Sequence, residues 1–209
     1  MINAFSVSMD YIYFIYGLSF ILLAMRALML GGRDQTLPWR WLAAFGLLHG
    51  LNEWLDLLAL SLGDTALLKN IRLAVLTISF LPLVEFGRRG LTRQGFQSLG
   101  GWIYLPLLAF VGLGAWAGIN SLNATSRYAL ALPGGLLVGG ALWRAAAAVK
   151  DERRPGLRLA AASMLFYGLA AGLVVPSAAF FPASWLNHDN FCAVTGMPIQ
   201  LKMCIRDRR

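Results

Sequence analysis

Long apolar runs separated by short polar segments dominate the chain. Each run contains about 20 residues or slightly more, which is the length needed to cross the hydrocarbon core of a bilayer as a helix. The strands of a membrane β-barrel would be shorter and would alternate between polar and apolar positions. The pattern predicts an all-α fold, a polytopic bundle of transmembrane helices with six visible spans at residues 11–30, 38–62, 66–86, 101–119, 127–149 and 156–175.

The second run differs from the others because polar residues interrupt its middle. His49, Asn52, Glu53 and Asp56 fall on one face of a helix at 100° per residue. Ionisable groups at membrane depth are costly, and they normally face a bundle interior or a wet cavity. Two interpretations stay open. The stripe either forms a cavity that senses a ligand or a proton, or it fixes the bundle by hydrogen bonds to neighbours such as Arg72 and Glu85.

Four residues outside this stripe are further candidates, because each carries charge or a titratable group. Glu85, near the end of the third run, joins the ligand- or proton-sensing candidates, although it could equally pair with the arginines that follow it. Arg72, His188 and Asp189 are second-tier candidates; the arginine could also extend outward from the start of its span. No catalytic residue is predicted.

Composition supports a membrane protein. Of the 209 residues, 58% are hydrophobic and 13% are charged, against about 25% charged in a soluble domain. The net charge of +8 does not indicate nucleic-acid binding, because the basic residues lie mainly in the connectors. With two histidines and two cysteines, no metal-ligand spacing is present, and the sequence identifies no cofactor.

The distribution of basic residues predicts an orientation. Eleven lie in or near the connectors after the first, third and fifth runs, whereas three lie on the opposite side: Lys69, Arg72 and Arg127. The positive-inside rule then places the N-terminus outside the bacterial cytoplasmic membrane.

The end of the chain has its own pattern. Residues 196–201, GMPIQL, are typical of the start of a seventh span. Residues 202–209, KMCIRDRR, resemble the translation of a sequencing adapter. We therefore expect a sensor-like transmembrane domain over residues 1–201 and a non-native tail over residues 202–209.

The apolar runs resemble a known class of signalling domain. FIYGLSFILLAMRAL, WLAAFGLLHGLNEWLDL, ISFLPLVEFGRR and FYGLAAGLVVPSAAFFPASWLN are similar to the N-terminal multi-helix membrane sensor region that precedes PAS, histidine-kinase or diguanylate-cyclase modules in bacteria. The resemblance implies a sensory input domain that relays a signal to a cytoplasmic output module following it in the chain. It also implies a homodimer. No phospho-acceptor box or nucleotide-binding Gly-rich box of such a module is present in these 209 residues.

Two alternatives use the same polar residues differently. An intramembrane metal-dependent hydrolase would need His49, Glu53, Asp56 and His188 to meet at one metal. A small transporter would need discontinuous helices in matched halves, and Pro133-Gly134-Gly135 and Pro176 provide a faint sign of these.

Overall fold

The computed structural model describes residues 4–32, 36–96, 100–149, 152–178 and 182–195. These residues form helices and contain no β-strand, so the all-α prediction is confirmed for this part of the chain. The chain divides into two compact units, residues 1–86 and 87–209. The predicted tail at 202–209 and the start of a seventh span at 196–201 lie outside the described residues.

Three helices form the first unit. They are α1 (Ala4–Gly31), α2 (Trp39–Leu62) and α3 (Ala66–Arg93), of which α3 contributes its residues up to Phe86. Only three residues join α2 to α3: Gly63, at a φ of +92°, ends the first helix, and the Thr65 hydroxyl accepts a hydrogen bond from the Leu68 amide. The predicted end of the third run at residue 86 was too early, because α3 continues to Arg93.

The second unit contains the remaining helices. A 3₁₀ turn (Gly101–Ile103) leads into α4 (Tyr104–Trp116), and α5 (Ile119–Ser126) follows a break at Gly118, where φ is +110°. A π-helical turn (Arg127–Ala131) then connects α5 to α6 (Leu132–Ala148) without a break. The unit continues with α7 (Arg154–Leu173) and α8 (His188–Thr195).

Residues 120–126 lie between the predicted fourth and fifth spans, in a polar connector that the sequence suggested was a turn, and that prediction was wrong. They are helical, and the polar side chains that suggested a turn are accommodated on the helix itself: the Thr125 hydroxyl donates to the carbonyl of Ser121. A hydroxyl bonded to a carbonyl one turn earlier needs no partner elsewhere.

Within the described ranges, four helices are long and apolar enough to cross a membrane: Asp10–Gly31, Ala66–Arg93, Ile119–Ala148 and Arg154–Leu173. The helix α2 has 24 residues, a sufficient length, but its polar stripe lowers its mean hydropathy and it does not belong to this set. The segment Gly101–Trp116 is apolar but shorter.

Glycines bring α1 and α2 into backbone contact. A Cβ atom at Gly46 would lie 2.7 Å from the carbonyl oxygen of Phe20, and one at Gly50 would lie 2.9 Å from that of Gly17. The spacing Gly46-x3-Gly50 is the small-residue pattern that allows close helix packing where lipid offers no hydrophobic drive.

The same device recurs between α6 and α7 in the second unit. A Cβ at Gly135 would lie 2.3 Å from the Cα of Gly168, and one at Gly172 would lie 2.4 Å from the Cβ of Leu132. Gly135, in the segment Pro133-Gly134-Gly135, therefore allows close approach of a neighbouring helix.

We expect Gly46→Ala to lower the free energy of unfolding by about 1–3 kcal/mol, because the new methyl group forces the two backbones apart. Gly112→Ala in α4 is the matched control, since a Cβ there has no atom within 4 Å. The control should leave stability unchanged or raise it by up to about 1 kcal/mol through helix propensity. Unfolding of the two variants in detergent micelles measures the difference, and equal stabilities would contradict close packing at Gly46.

Candidate functional site

The helices α2 and α3 form an antiparallel hairpin centred on Asp64. His49 and Ser79 are each fifteen residues from Asp64 and are in contact, and Asp56 and Arg72 are each eight residues from it and are also in contact. Because both helices rise by the same distance per residue, residues equally far from the loop face each other. This register places two polar pairs at successive levels of the first unit.

The imidazole of His49 is enclosed by aromatic rings from three helices. Its ring centroid lies 4.5 Å from that of Phe20 on α1, 5.1 Å from that of Phe45 on α2 and 5.7 Å from that of Phe80 on α3. The histidine is 5% exposed, and Phe45 and Phe80 are completely buried. The ring position therefore depends on the packing of all three helices.

The hydroxyl of Ser79 lies close to two possible hydrogen-bond partners. Its Oγ is 2.7 Å from the carbonyl of Leu76 and 3.1 Å from Nδ1 of His49. When the hydroxyl donates its one hydrogen to Leu76, it can only accept from Nδ1. In that arrangement Nδ1 of His49 carries the hydrogen and both hydrogen bonds are made at once.

The other ring nitrogen lies towards Glu53. Nε2 of His49 is 3.9 Å from Oε1 of Glu53 one turn along α2. Asn52 is buried beside this pair on the same helical face, at 4% exposure, and its Oδ1 accepts no hydrogen bond from the described residues. A buried acceptor without a donor costs about 1–3 kcal/mol, so it is a position where a hydrogen-bond donor would be stabilised.

Asp56 belongs to a second polar group. Arg72 on α3 contacts the Asp56 carboxylate at 2.5 Å and the Asp64 carboxylate in the loop at 2.8 Å. The arginine side chain is 11% exposed, and the two carboxylates hold it against the hairpin, which is the role of a partner for the stripe that the sequence left open for it. For Asp56 this pairing matches the structural interpretation of the stripe.

The remaining candidates lie elsewhere. Glu85 is buried in α3, but it is six residues beyond Ser79, about 9 Å further along the helix axis, and so at a different level from His49. Asp189 is exposed in the first turn of α8 in the second unit. The side chain of His188 lies outside the described residues.

Sequence inspection missed Ser79 and the three phenylalanines. Phe45 precedes His49 by one helical turn and could have been found from that spacing. Ser79 could have been found by counting outward from the short loop at Asp64. Phe20 gives no such signal, because the pairing of α1 with α2 is set by glycines.

A metal centre requires several ligand side chains close together. Among residues 4–32, 36–96, 100–149, 152–178 and 182–195, no three or more His, Cys, Asp or Glu side chains are grouped closely enough to hold a metal ion. The hydrolase alternative gains no site from these ranges.

Comparisons with known proteins provide no relative for this chain. No protein-family model, curated protein or solved structure matches it. A function must therefore be argued from the geometry of the first unit.

We expect Arg72→Gln to lower the free energy of unfolding by about 1–3 kcal/mol, the range for hydrogen bonds to charged groups, because it leaves two carboxylates without their cation. Asp64→Asn should cost less, about 0–1 kcal/mol, because the Asp64 side chain is more exposed to solvent than the Arg72 side chain. Unfolding in detergent micelles checks both values. A double-mutant cycle of Arg72 with Asp56 should give a coupling of at least about 0.5 kcal/mol, and additive effects would show that the pair contributes no stability.

Proposed function

We propose that residues 1–201 form the membrane-embedded sensory input domain of a bacterial signal-transduction protein. The domain relays a signal to a cytoplasmic output module of the PAS, histidine-kinase or diguanylate-cyclase type that follows in the chain. The His49–Asn52–Glu53 cluster is its sensing site, and the domain acts as a dimer, as signalling kinases of the resembled class generally do.

The observation that carries the proposal is the enclosure of His49 by three helices. Phe20, Phe80 and Ser79 contact one imidazole from α1 and α3. A change at this ring must therefore alter the packing of α1 or α3 against α2. A stimulus moves such an equilibrium only if it binds the two packings with different affinity, and a ring in contact with all three helices is placed where two packings would differ.

The surroundings of the cluster suit a membrane-embedded unit. The helix α1 exposes large apolar side chains along most of its length and buries a narrow stripe against α2, which contains Gly17, Phe20, Ala24 and Ala27. Lipid chains cover such an outer surface without cost. The cluster lies on the protein side of α2, where the bilayer allows ionisable groups.

The topology belonging to this proposal has six spans, with the N-terminus outside and a seventh span after residue 196. The loop at Asp64 then lies outside, and Glu152-Arg153 lies in the cytoplasm. An odd number of spans brings the chain to the cytoplasmic side, where an output module must act.

We expect reporter fusions to show this orientation in living bacteria. Alkaline phosphatase fused after Asp64 should be active, because it folds only outside the cytoplasm, and the same enzyme fused after Arg153 should be inactive. A green fluorescent protein at the same two positions should give the reverse pattern. Phosphatase activity at both positions, or only at Arg153, would contradict the proposed topology.

The signalling role predicts a particular gene and a particular mutational effect. The complete reading frame should continue past Leu201 into a seventh apolar span and an output module. In that full-length protein His49→Gln and Glu53→Gln should change output activity at least about fivefold, a coupling of about 1 kcal/mol, whereas Asn70→Gln at an exposed position of α3 should not. A frame that encodes no output module would refute the proposal.

A further inference from the structure

The His49–Glu53 pair has a geometry that identifies its ligand. We infer that the pair is a binding site for one proton, taken up and released at Nε2 of His49 while Nδ1 stays bonded to Ser79. This inference rests on the proposed function for its biological meaning, since it makes the proton the stimulus of the sensor. The contacts that form the proposed proton site all lie within the first unit.

Proton exchange on the imidazole of His49 is restricted to one of its two ring nitrogens. With the Ser79 hydroxyl donating to the Leu76 carbonyl, its oxygen accepts the hydrogen on Nδ1 of His49, and both contacts are satisfied. A bare Nδ1 would draw the Ser79 hydrogen away from the Leu76 carbonyl, so one of the two hydrogen bonds would be lost. The imidazole therefore gains or loses hydrogen at Nε2.

Nε2 of His49 lies opposite the side chain of Glu53. Oε1 of Glu53 lies 3.9 Å from it, which is longer than a hydrogen bond between charged groups, about 2.7–2.9 Å. When Glu53 is ionised and Nε2 is bare, the lone pair and the carboxylate repel each other and the gap stays open. When a proton is added to Nε2, the imidazolium and the ionised carboxylate attract, and the gap can shorten by about 1 Å. In this step a hydrated proton gives its hydrogen to the Nε2 lone pair and leaves as water, and no bond between heavy atoms changes.

The residues around His49 favour the uptake of a proton over the binding of a larger cation. Three phenylalanine rings surround the imidazole, and aromatic faces attract cations, so the charged ring remains stabilised in a space that the rings already fill. The unsatisfied Oδ1 of Asn52 on the same face can accept a hydrogen bond from the water that carries the proton. A buried acceptor of this kind is an independent sign that a hydrogen-bond donor visits the site.

Other titratable groups near His49 are few in the first unit. Glu53 lies on α2 itself, and the half-buried Tyr13 lies on the inward face of α1 at the level of Glu53. On the loop side of Ser79, the nearest charge on α3 is Arg72, which is paired with Asp56 and Asp64. Glu85 on α3 is about 9 Å beyond Ser79 along the helix axis.

Movement at Nε2 is transmitted to neighbouring helices. Protonation moves a ring that is bonded to Ser79 on α3 and packed on Phe20 of α1. Shortening the distance to Glu53 therefore changes the contacts of both helices with α2. The state of one proton thereby selects between two packings of the same three helices.

Nuclear magnetic resonance of isotopically labelled histidine tests the site. The chain has two histidines, so the His188→Asn protein in lipid nanodiscs has one imidazole to observe. Across about pH 5 to 8 the Nδ1 signal should stay that of a protonated nitrogen, and the Nε2 signal should change from protonated to bare. A bare Nδ1 at any pH in this range, or an Nε2 signal that never changes, would overturn the inference.

A matched pair of variants then tests the role of Glu53. In the His188→Asn background, Glu53→Gln removes the charge next to Nε2, and Glu85→Gln makes the same chemical change at another buried position of the unit. At about pH 6.5, the ratio of protonated to bare Nε2 should fall about tenfold in the first variant, the lower limit for the effect of an opposite charge at this distance. In the second it should change less than about twofold. Equal changes in the two variants, or a change caused by replacing potassium with sodium at constant pH, would refute a proton site.

A third variant, at Ser79, tests the tautomer of His49 without changing Glu53. Ser79→Ala removes the acceptor for Nδ1, so both tautomers of neutral His49 should appear, whereas Ser79→Thr retains the hydroxyl and should preserve the single tautomer. An unchanged single tautomer in Ser79→Ala would overturn the assignment. None of these measurements needs an output module, so they can fail or succeed separately from the signalling role.

Discussion

A polar side chain within hydrocarbon must find its partners inside the protein, because lipid offers none. This constraint explains the arrangement of the first unit better than any preference for particular residues. His49 reaches across to Ser79, which in turn uses the carbonyl of its own helix, and Arg72 is shared by two carboxylates. The apolar surface faces outward, and the polar residues determine how α2 and α3 are aligned.

Close backbone approach is the second requirement, and glycine meets it. Gly46 and Gly50 allow α1 to lie against α2 closely enough for Phe20 to reach the imidazole of His49. The aromatic enclosure therefore depends on residues that have no side chain of their own. The histidine, the glycines and the phenylalanines form one structural feature, although they are distributed over three helices with no obvious relation in the sequence.

Much of this could be predicted from the sequence, and the failures have physical reasons. Hydropathy located the helices, and helical periodicity placed His49, Asn52 and Glu53 on one buried face. The helix at residues 120–126 was missed because Ser121 and Thr125 look like turn residues until their bonds within the helix are seen. The partners of His49 could not be identified from composition, since one serine in an apolar run has no distinctive pattern. The position of the Arg72 side chain depends partly on Asp64, a loop residue that the sequence pattern did not connect with it.

The three-residue loop around Asp64 has a consequence for how this unit can vary. The two polar pairs, His49 with Ser79 and Asp56 with Arg72, each lie at equal distances from the loop on both sides, so the length of the loop sets the register of the hairpin. One inserted residue would shift α3 by about 1.5 Å and rotate it by about 100° relative to α2, and it would separate His49 from Ser79 and Asp56 from Arg72 together. Substitutions in the loop can be tolerated one at a time, whereas a change in its length would erase both polar pairs in a single event.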